Sequence, residues 1–321
     1  MLDKPTVTLY KSQESNMTVY SRNEWDPLKR ILVGSATNAN WPSADPVFAE
    51  ESSRTKWTKT PVPSGPVPQH IVDTANAELD KLSEVLYNLG IEVWRPDPID
   101  FVGRGGMYNY CPRDRLLIGD DVVVDPAMLY PCRDMEIEEM DFILRDAADV
   151  LQMPRDQGMV LDAANVCRLG DNWLYLESQS GNKAAYDWLC EKFPHKNIEL
   201  VNFYAGVHID STIAPLQEGL VLLNGDRVNE NNLPHCLERW DRIYVNQIVE
   251  RDFYQYPYAS KWIGMNILVV RPGLVVVDEI QTTLIQALEA RGIECITLPL
   301  THSRTLGGGF HCTTLDIWRQ P

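Results

Sequence analysis

The stretch Met265-Asn-Ile-Leu-Val-Val-Arg-Pro-Gly-Leu-Val-Val-Val-Asp-Glu-Ile-Gln-Thr-Thr-Leu-Ile-Gln-Ala-Leu-Glu-Ala-Arg-Gly-Ile-Glu-Cys-Ile296 holds one complete structural unit. Two short apolar runs, 265–270 and 274–277, flank the turn Arg271-Pro-Gly273 and predict a tight pair of strands. Residues 280–290 carry helical spacing, and Arg291-Gly292 ends them. Ile293-Glu-Cys-Ile296 then predicts another strand. The order is strand, strand, helix, strand.

The same grammar occurs earlier in the chain. Ile71, Ala75, Leu79, Leu82, Leu86 and Leu89 follow helical spacing over 71–89. Gly90 caps that helix, and Ile91-Glu-Val-Trp94 is an alternating strand. A fainter copy has a strand at 173–177, a helix at 183–192 and Ile198-Glu-Leu-Val201. At least three copies argue for one pseudo-symmetric α/β domain over 21–321, behind a loose, flexible arm at 1–20. No strand is followed by a glycine-rich turn of dinucleotide-binding spacing. Ile31-Leu-Val-Gly34 reads as the first buried strand. Residues 35–68, rich in Pro, Ser, Thr and Asn, read as a long surface loop, and 229–258 as an inserted loop segment.

With 321 residues, 44% of them hydrophobic, the chain is long enough for a large buried core. Its formal charge of −16 argues against nucleic acid or an anionic membrane as partner and suits a small cation. No run approaches the roughly 20 apolar residues of a membrane span. The polar first residues lack the pattern of a secretory signal. Seven cysteines without a C-x-x-C pair point to free thiols in a reducing, cytoplasmic setting.

Leu306-Gly-Gly-Gly-Phe-His-Cys312 places a thiol after a loop that lets backbone approach a ligand closely. A flexible turn before a buried core cysteine explains that stretch equally well. Catalysis needs more: a group that tunes the thiol and an acid or base in reach. His208 and Asp210, in Val207-His-Ile-Asp210, share a side if their segment is extended, whereas His311 would then point away from Cys312. Asp162 sits among small residues in Val160-Leu-Asp-Ala-Ala-Asn165, and Asp114 precedes the apolar run Leu116-Leu-Ile118. Singly, each carboxylate reads as a cap or turn residue. Together, Asp114, Asp162 and Asp210 suit a guanidinium with its planar fork of donors. Metal-binding spacings such as H-E-x-x-H are missing, so neither metal nor cofactor is expected.

Five segments, in this order, resemble the arginine:glycine amidinotransferase family and its relatives acting on other amines. They are Met107-Tyr-Asn-Tyr-Cys-Pro-Arg-Asp114, Leu161-Asp-Ala-Ala164, His208-Ile-Asp210, Ser260-Lys-Trp262 with Met265-Asn266, and Gly307-Gly-Gly-Phe-His-Cys312. The likeness runs from about Asn23 to Arg319. It implies the five-bladed α/β propeller of the pentein superfamily, built from ββαβ modules. It also implies Cys312 as nucleophile, His208 as general acid/base and Asp162 as the carboxylate that orients the site. Asp114 and Asp210 would grip the guanidinium of an L-arginine donor. Arg227, with Ser260, would hold the donor's carboxylate, although Arg227 alone reads as a surface ion pair. Tyr108 would line the pocket.

The implied reaction passes the amidino group to a small amine acceptor and releases ornithine, and the family's habit implies a homodimer. Where glycine-specific members carry Asn-Pro-Met, this chain has Ala205-Gly206-Val207. Smaller side chains there widen the acceptor end and suggest an acceptor larger than glycine, as in natural-product pathways. Asn165 stands where the family usually has Asp. A guanidine hydrolase of the arginine deiminase or dihydrolase type shares these catalytic residues and stays open, as does a catalytically inactive arginine sensor.

Overall fold

The computed structural model describes residues 18–54, 62–204 and 208–321. Among them, five three-stranded sheets each pair two antiparallel strands and add a third in parallel. The first joins the chain's two ends: Leu28–Val33 lies antiparallel to Thr314–Arg319 and parallel to Glu92–Trp94. The second contains Leu117–Gly119, Val122–Asp125 and Asp149–Gln152. The third contains Val166–Leu169, Asn172–Leu176 and Asn197–Val201. The fourth contains Ile213–Gln217, Leu220–Asn224 and Asp241–Val245. The fifth contains Leu268–Arg271, Leu274–Asp278 and Glu294–Leu298. These are the blades of the expected five-bladed α/β propeller.

A parallel strand needs a crossover, and the crossovers differ. Blades one, three and five use the helices Gln69–Asn88, Lys183–Lys192 and Thr282–Glu289. Ile71, Val72, Ala75, Leu79, Leu82 and Leu86 bury one stripe of the longest helix, each large side chain contributing about 1.5–3 kcal/mol. Blade two uses the 3₁₀ stretch Pro131–Met140 and the short helix Asp141–Asp146. Blade four has the 3₁₀ turn His235–Leu237. The segment 229–258, expected as an inserted loop, therefore supplies this turn and the fourth blade's outer strand.

The expected loop at 35–68 also carries structure. Asn40–Trp41 pairs with Gly65–Pro66. The helix Pro46–Arg54 starts where Asp45 accepts hydrogen bonds from the backbone N–H groups of Val47 (2.9 Å) and Phe48 (3.0 Å), with proline at the first helical position. Most of the expected arm, residues 1–17, lies outside the described residues. Its last residues are packed: Val19 is buried, and Tyr20 N–H donates to Ile317 O at 2.9 Å.

A buried ionic knot ties the blades together behind the site. Asp316, fully buried on the C-terminal strand, pairs with Arg113, with Arg168 (2.8 Å) and with Arg319 (2.9 Å). Burial alone would raise its pKa, yet the three guanidinium groups hold it well below the carboxylate range. Asp316→Ala is expected to cost about 3–5 kcal/mol, because three buried cations lose a shared counter-charge and only Glu24 remains beside Arg168 and Arg113. Chemical denaturation measures that loss. Since the folded pKa is depressed, the contribution is complete above the unfolded value near 4 and is lost as pH falls through the folded value. The wild-type protein should accordingly lose stability on acidification below about pH 4, and the variant should show less of that dependence.

Candidate active site

Cys312 lies in the turn between the helix Ser303–Leu306 and the C-terminal strand. The three glycines ahead of it have separate jobs. Gly307 has a φ of +85°, which caps the short helix in a left-handed conformation. A Cβ on Gly308 would fall 2.5 Å from Cys111 Sγ and 3.2 Å from Cys312 Cβ. Close packing of two cysteines therefore demands a residue without a side chain.

His208 follows the third blade and faces two buried carboxylates. Its Nε2 is 3.1 Å from Asp162 Oδ2 and its Nδ1 is 3.5 Å from Asp114 Oδ1. Burial lowers the imidazole pKa, but Asp114, Asp162 and a hydrogen bond with Cys312 outweigh it and raise it well above the usual value. The two carboxylates thus favour the imidazolium form of the ring. A carboxylate oxygen of Asp114, a ring nitrogen of His208 and Cys312 Sγ all lie within 4.8 Å of one another. The backbone places Asp162 through Asp162 N–H to Ser180 O at 2.7 Å and Leu129 N–H to Asp162 Oδ1 at 3.0 Å. Asn165 supports this arrangement at one remove, donating to Ser180 O (2.7 Å) and Ser180 Oγ (2.8 Å).

Asp210 completes the ring of carboxylates. Its Oδ2 accepts from the Cys312 thiol at 3.1 Å and from His311 Nδ1 at 2.9 Å. Residues 310–313 form a turn, not the extended segment expected. His311 therefore joins Cys312 at Asp210 instead of pointing away, and its Nε2 lies 3.2 Å from Glu24. His208 is irregular and Asp210 lies in a turn, yet both still reach Cys312. Burial would raise the Asp210 pKa, but His311 and His208 hold it down at about 2.

Asp114 is already engaged by the protein. Arg133 Nη1 donates to its Oδ2 at 2.8 Å, while Oδ1 is buried without a hydrogen-bond partner. Arg133 is also gripped by Glu136 through two 2.9 Å bonds and lies 5.3 Å from the centre of the Tyr108 ring. Tyr108 is buried, with its hydroxyl 3.8 Å from Cys111 Sγ. Nothing in the spacing of the sequence signals Arg133, Glu136 or Glu24 as parts of this environment.

Arg227 stacks 3.8 Å from the Tyr204 ring centre and donates to Thr212 Oγ1 (2.8 Å), Ser211 Oγ (3.1 Å) and Ser260 Oγ (3.4 Å). It is a half-buried cation whose side-chain hydrogen bonds go to neutral oxygens, and it is not the surface ion pair that its sequence context alone suggests. Tyr204 in turn donates to the His208 carbonyl, and Ser260 caps the 3₁₀ turn Lys261–Met265. Both contacts tie Arg227 to elements of the site. Ala205, Gly206 and Val207, expected at the acceptor end, lie outside the described residues.

The Cys312 thiol is 2% exposed. Its pKa is raised well above the ordinary value by a hydrogen bond with Cys111, by burial and by Asp210, with His208 pulling the other way. A cation placed beside this sulfur would reverse that bias.

No family model matches the chain. Inosamine-phosphate amidinotransferase 1 of Streptomyces glaucescens is 41% identical over an alignment covering 92% of this chain and 95% of that protein. The structure of inosamine-phosphate amidinotransferase StrB1 from Streptomyces griseus superposes with a TM-score of 0.86 at 36% identity, covering 94% of this chain and 97% of that one. SxtG, an amidinotransferase of the saxitoxin pathway from Microseira wollei, gives a TM-score of 0.84 at 26% identity over 95% of this chain and 98% of its own. The chain belongs to the amidinotransferase family.

Proposed function

We propose that this enzyme takes the amidino group of L-arginine onto Cys312 and passes it to an amine larger than glycine, in natural-product metabolism. The convergence of Cys312, His208, Asp114, Asp162 and Asp210 from four separate stretches of chain carries the reading. A guanidinium seated against the unbonded oxygen of Asp114 and against Asp210 presents its central carbon to the sulfur. The same cation favours loss of the thiol proton, against the burial and the Asp210 charge that hold the proton on. Arg227, with Ser260, receives the amino-acid carboxylate, and Tyr108 lines the pocket.

As arginine binds, the thiol proton leaves to solvent, and attack by the thiolate on the guanidinium carbon forms a tetrahedral centre. His208, as imidazolium, protonates the δ-nitrogen, the C–N bond breaks and ornithine leaves. An amidino-cysteine remains, and Asp162 holds the now neutral imidazole. An acceptor ammonium gives one proton to His208, the free amine attacks the amidino carbon, and a second nitrogen proton passes to solvent as the thiolate is expelled. One base thus serves two similar steps. The relatives named for inosamine phosphate and the saxitoxin pathway support a bulky acceptor, as do the small residues 205–207. Seven free cysteines support a cytoplasmic setting, and a homodimer rests on family habit.

Product analysis tests transfer. With arginine alone, ornithine should appear in about one equivalent per site and then stop; a suitable amine should restart it, and bulkier amines should outperform glycine. Continuous formation of citrulline and ammonia without an amine would overturn the reading.

A further inference from the structure

The segment Ser260–Asn266 resembles a family signature, yet the scheme above gives Asn266 no work. Asn266 is 2% exposed and ends the 3₁₀ turn Lys261–Met265. Its carboxamide spans the nucleophile. Oδ1 accepts the Cys312 backbone N–H at 2.9 Å, and Nδ2 donates to Cys312 Sγ at 3.2 Å. The orientation of the amide follows from chemistry: a backbone N–H only donates, so the oxygen must face it and the NH₂ must face sulfur. The neighbouring backbone is shaped for this contact. A Cβ on Gly309 would stand 2.5 Å from Asn266 Cβ and 2.7 Å from its Oδ1, and His311 N–H donates to Asn266 O at 3.3 Å.

We infer that Asn266 is a further catalytic residue, one that stabilises the Cys312 thiolate by a fixed neutral hydrogen bond. The argument rests on the assignment of Cys312 as nucleophile. Every other polar contact at the sulfur has a drawback as a thiolate partner. Asp210 repels a thiolate, Cys111 is another thiol, and the His208 imidazolium gives up its proton during the first half-reaction. Asn266 donates unchanged throughout, both when the thiolate attacks arginine and when the acceptor expels it. Hydrogen bonds to charged groups contribute more than neutral ones, and here the sulfur carries charge only as it reacts.

Two functions of the side chain, holding the loop and stabilising the sulfur, separate by substitution. Asn266→Asp keeps an oxygen for the Cys312 N–H but cannot donate to sulfur when ionised. Asn266→Ser removes the carboxamide donor without adding charge; its hydroxyl can donate or accept but ends one bond short of the Nδ2 position, so it is expected not to reach the sulfur. The assay is alkylation of arginine-free enzyme by iodoacetamide across pH, followed at the Cys312 peptide by mass spectrometry, beside kcat/KM for arginine and thermal melting. The inference expects the midpoint for Cys312 to rise by about one to two pH units in Asn266→Ser, and further in Asn266→Asp, with kcat/KM falling tenfold or more. If Asn266→Asp fails to fold, Asn266→Ser alone decides. A folded variant whose alkylation midpoint equals that of wild type overturns the inference. Because alkylation uses no arginine, failure of the nucleophile assignment shows separately, as transfer activity that survives Cys312→Ser.

Discussion

Cys312→Ser is expected to lower amidino transfer by more than about a thousandfold while the protein keeps its fold and still binds arginine. Serine replaces sulfur by oxygen with little change in volume, and the contacts from Asn266 and Asp210 suit a hydroxyl as well as a thiol. What disappears is an atom that ionises in this setting. A serine hydroxyl needs a strong neighbouring base, and Asp114 and Asp162 bias His208 towards its protonated form. The effect should fall on kcat, with arginine affinity nearly unchanged, because the lost interaction exists only along the reaction path. Steady-state rates with a competent amine, and equilibrium binding of arginine, measure the two quantities. A variant with near wild-type turnover would remove Cys312 from the mechanism.

The second large effect is expected at His208. His208→Gln retains a hydrogen bond to Asp162 but carries no transferable proton, so turnover should fall by about 10²–10⁴-fold. The pH dependence has a definite sign. The imidazole pKa is raised, so the acid needed for ornithine departure is fully present at neutral pH and is lost as pH rises through the raised value. Single-turnover formation of ornithine in wild type should therefore decline on the alkaline side, and His208→Gln should lose that limb. A protonated alternative at Asp162 would leave the limb in place.

The propeller was legible in the sequence where its crossovers are helices. The stripe on Gln69–Asn88 and the helices Lys183–Lys192 and Thr282–Glu289 carry enough turns for apolar residues to repeat. Blades two and four were not legible, because a 3₁₀ stretch or a single 3₁₀ turn has no such period. The segment around Asp241–Val245 consequently read as an insertion. Asp45 and Pro46 are a helix start that could have been read, and the surrounding polar residues hid it.

The candidate site divides along similar lines. Each residue type was visible, but convergence was not, since Asp114, Asp162, His208 and Cys312 come from different blades and their junctions. Family likeness supplied the grouping, and the folded geometry now gives it distances. An extended 310–313 would point His311 away from Cys312, and the turn found there brings it to Asp210 instead. Asn266 belongs to the family-like segment 260–266, but a carboxamide carries no charge that would mark it as part of a site. Arg133, which engages Asp114, needed the tertiary structure.

Intact-mass analysis after mixing the enzyme with L-arginine, in the absence of any amine acceptor, tests the covalent scheme most directly. The account predicts one added amidino group, mapped to Cys312, with stoichiometric release of ornithine and discharge of the adduct by a competent amine. An unmodified Cys312 under conditions where transfer proceeds would contradict it.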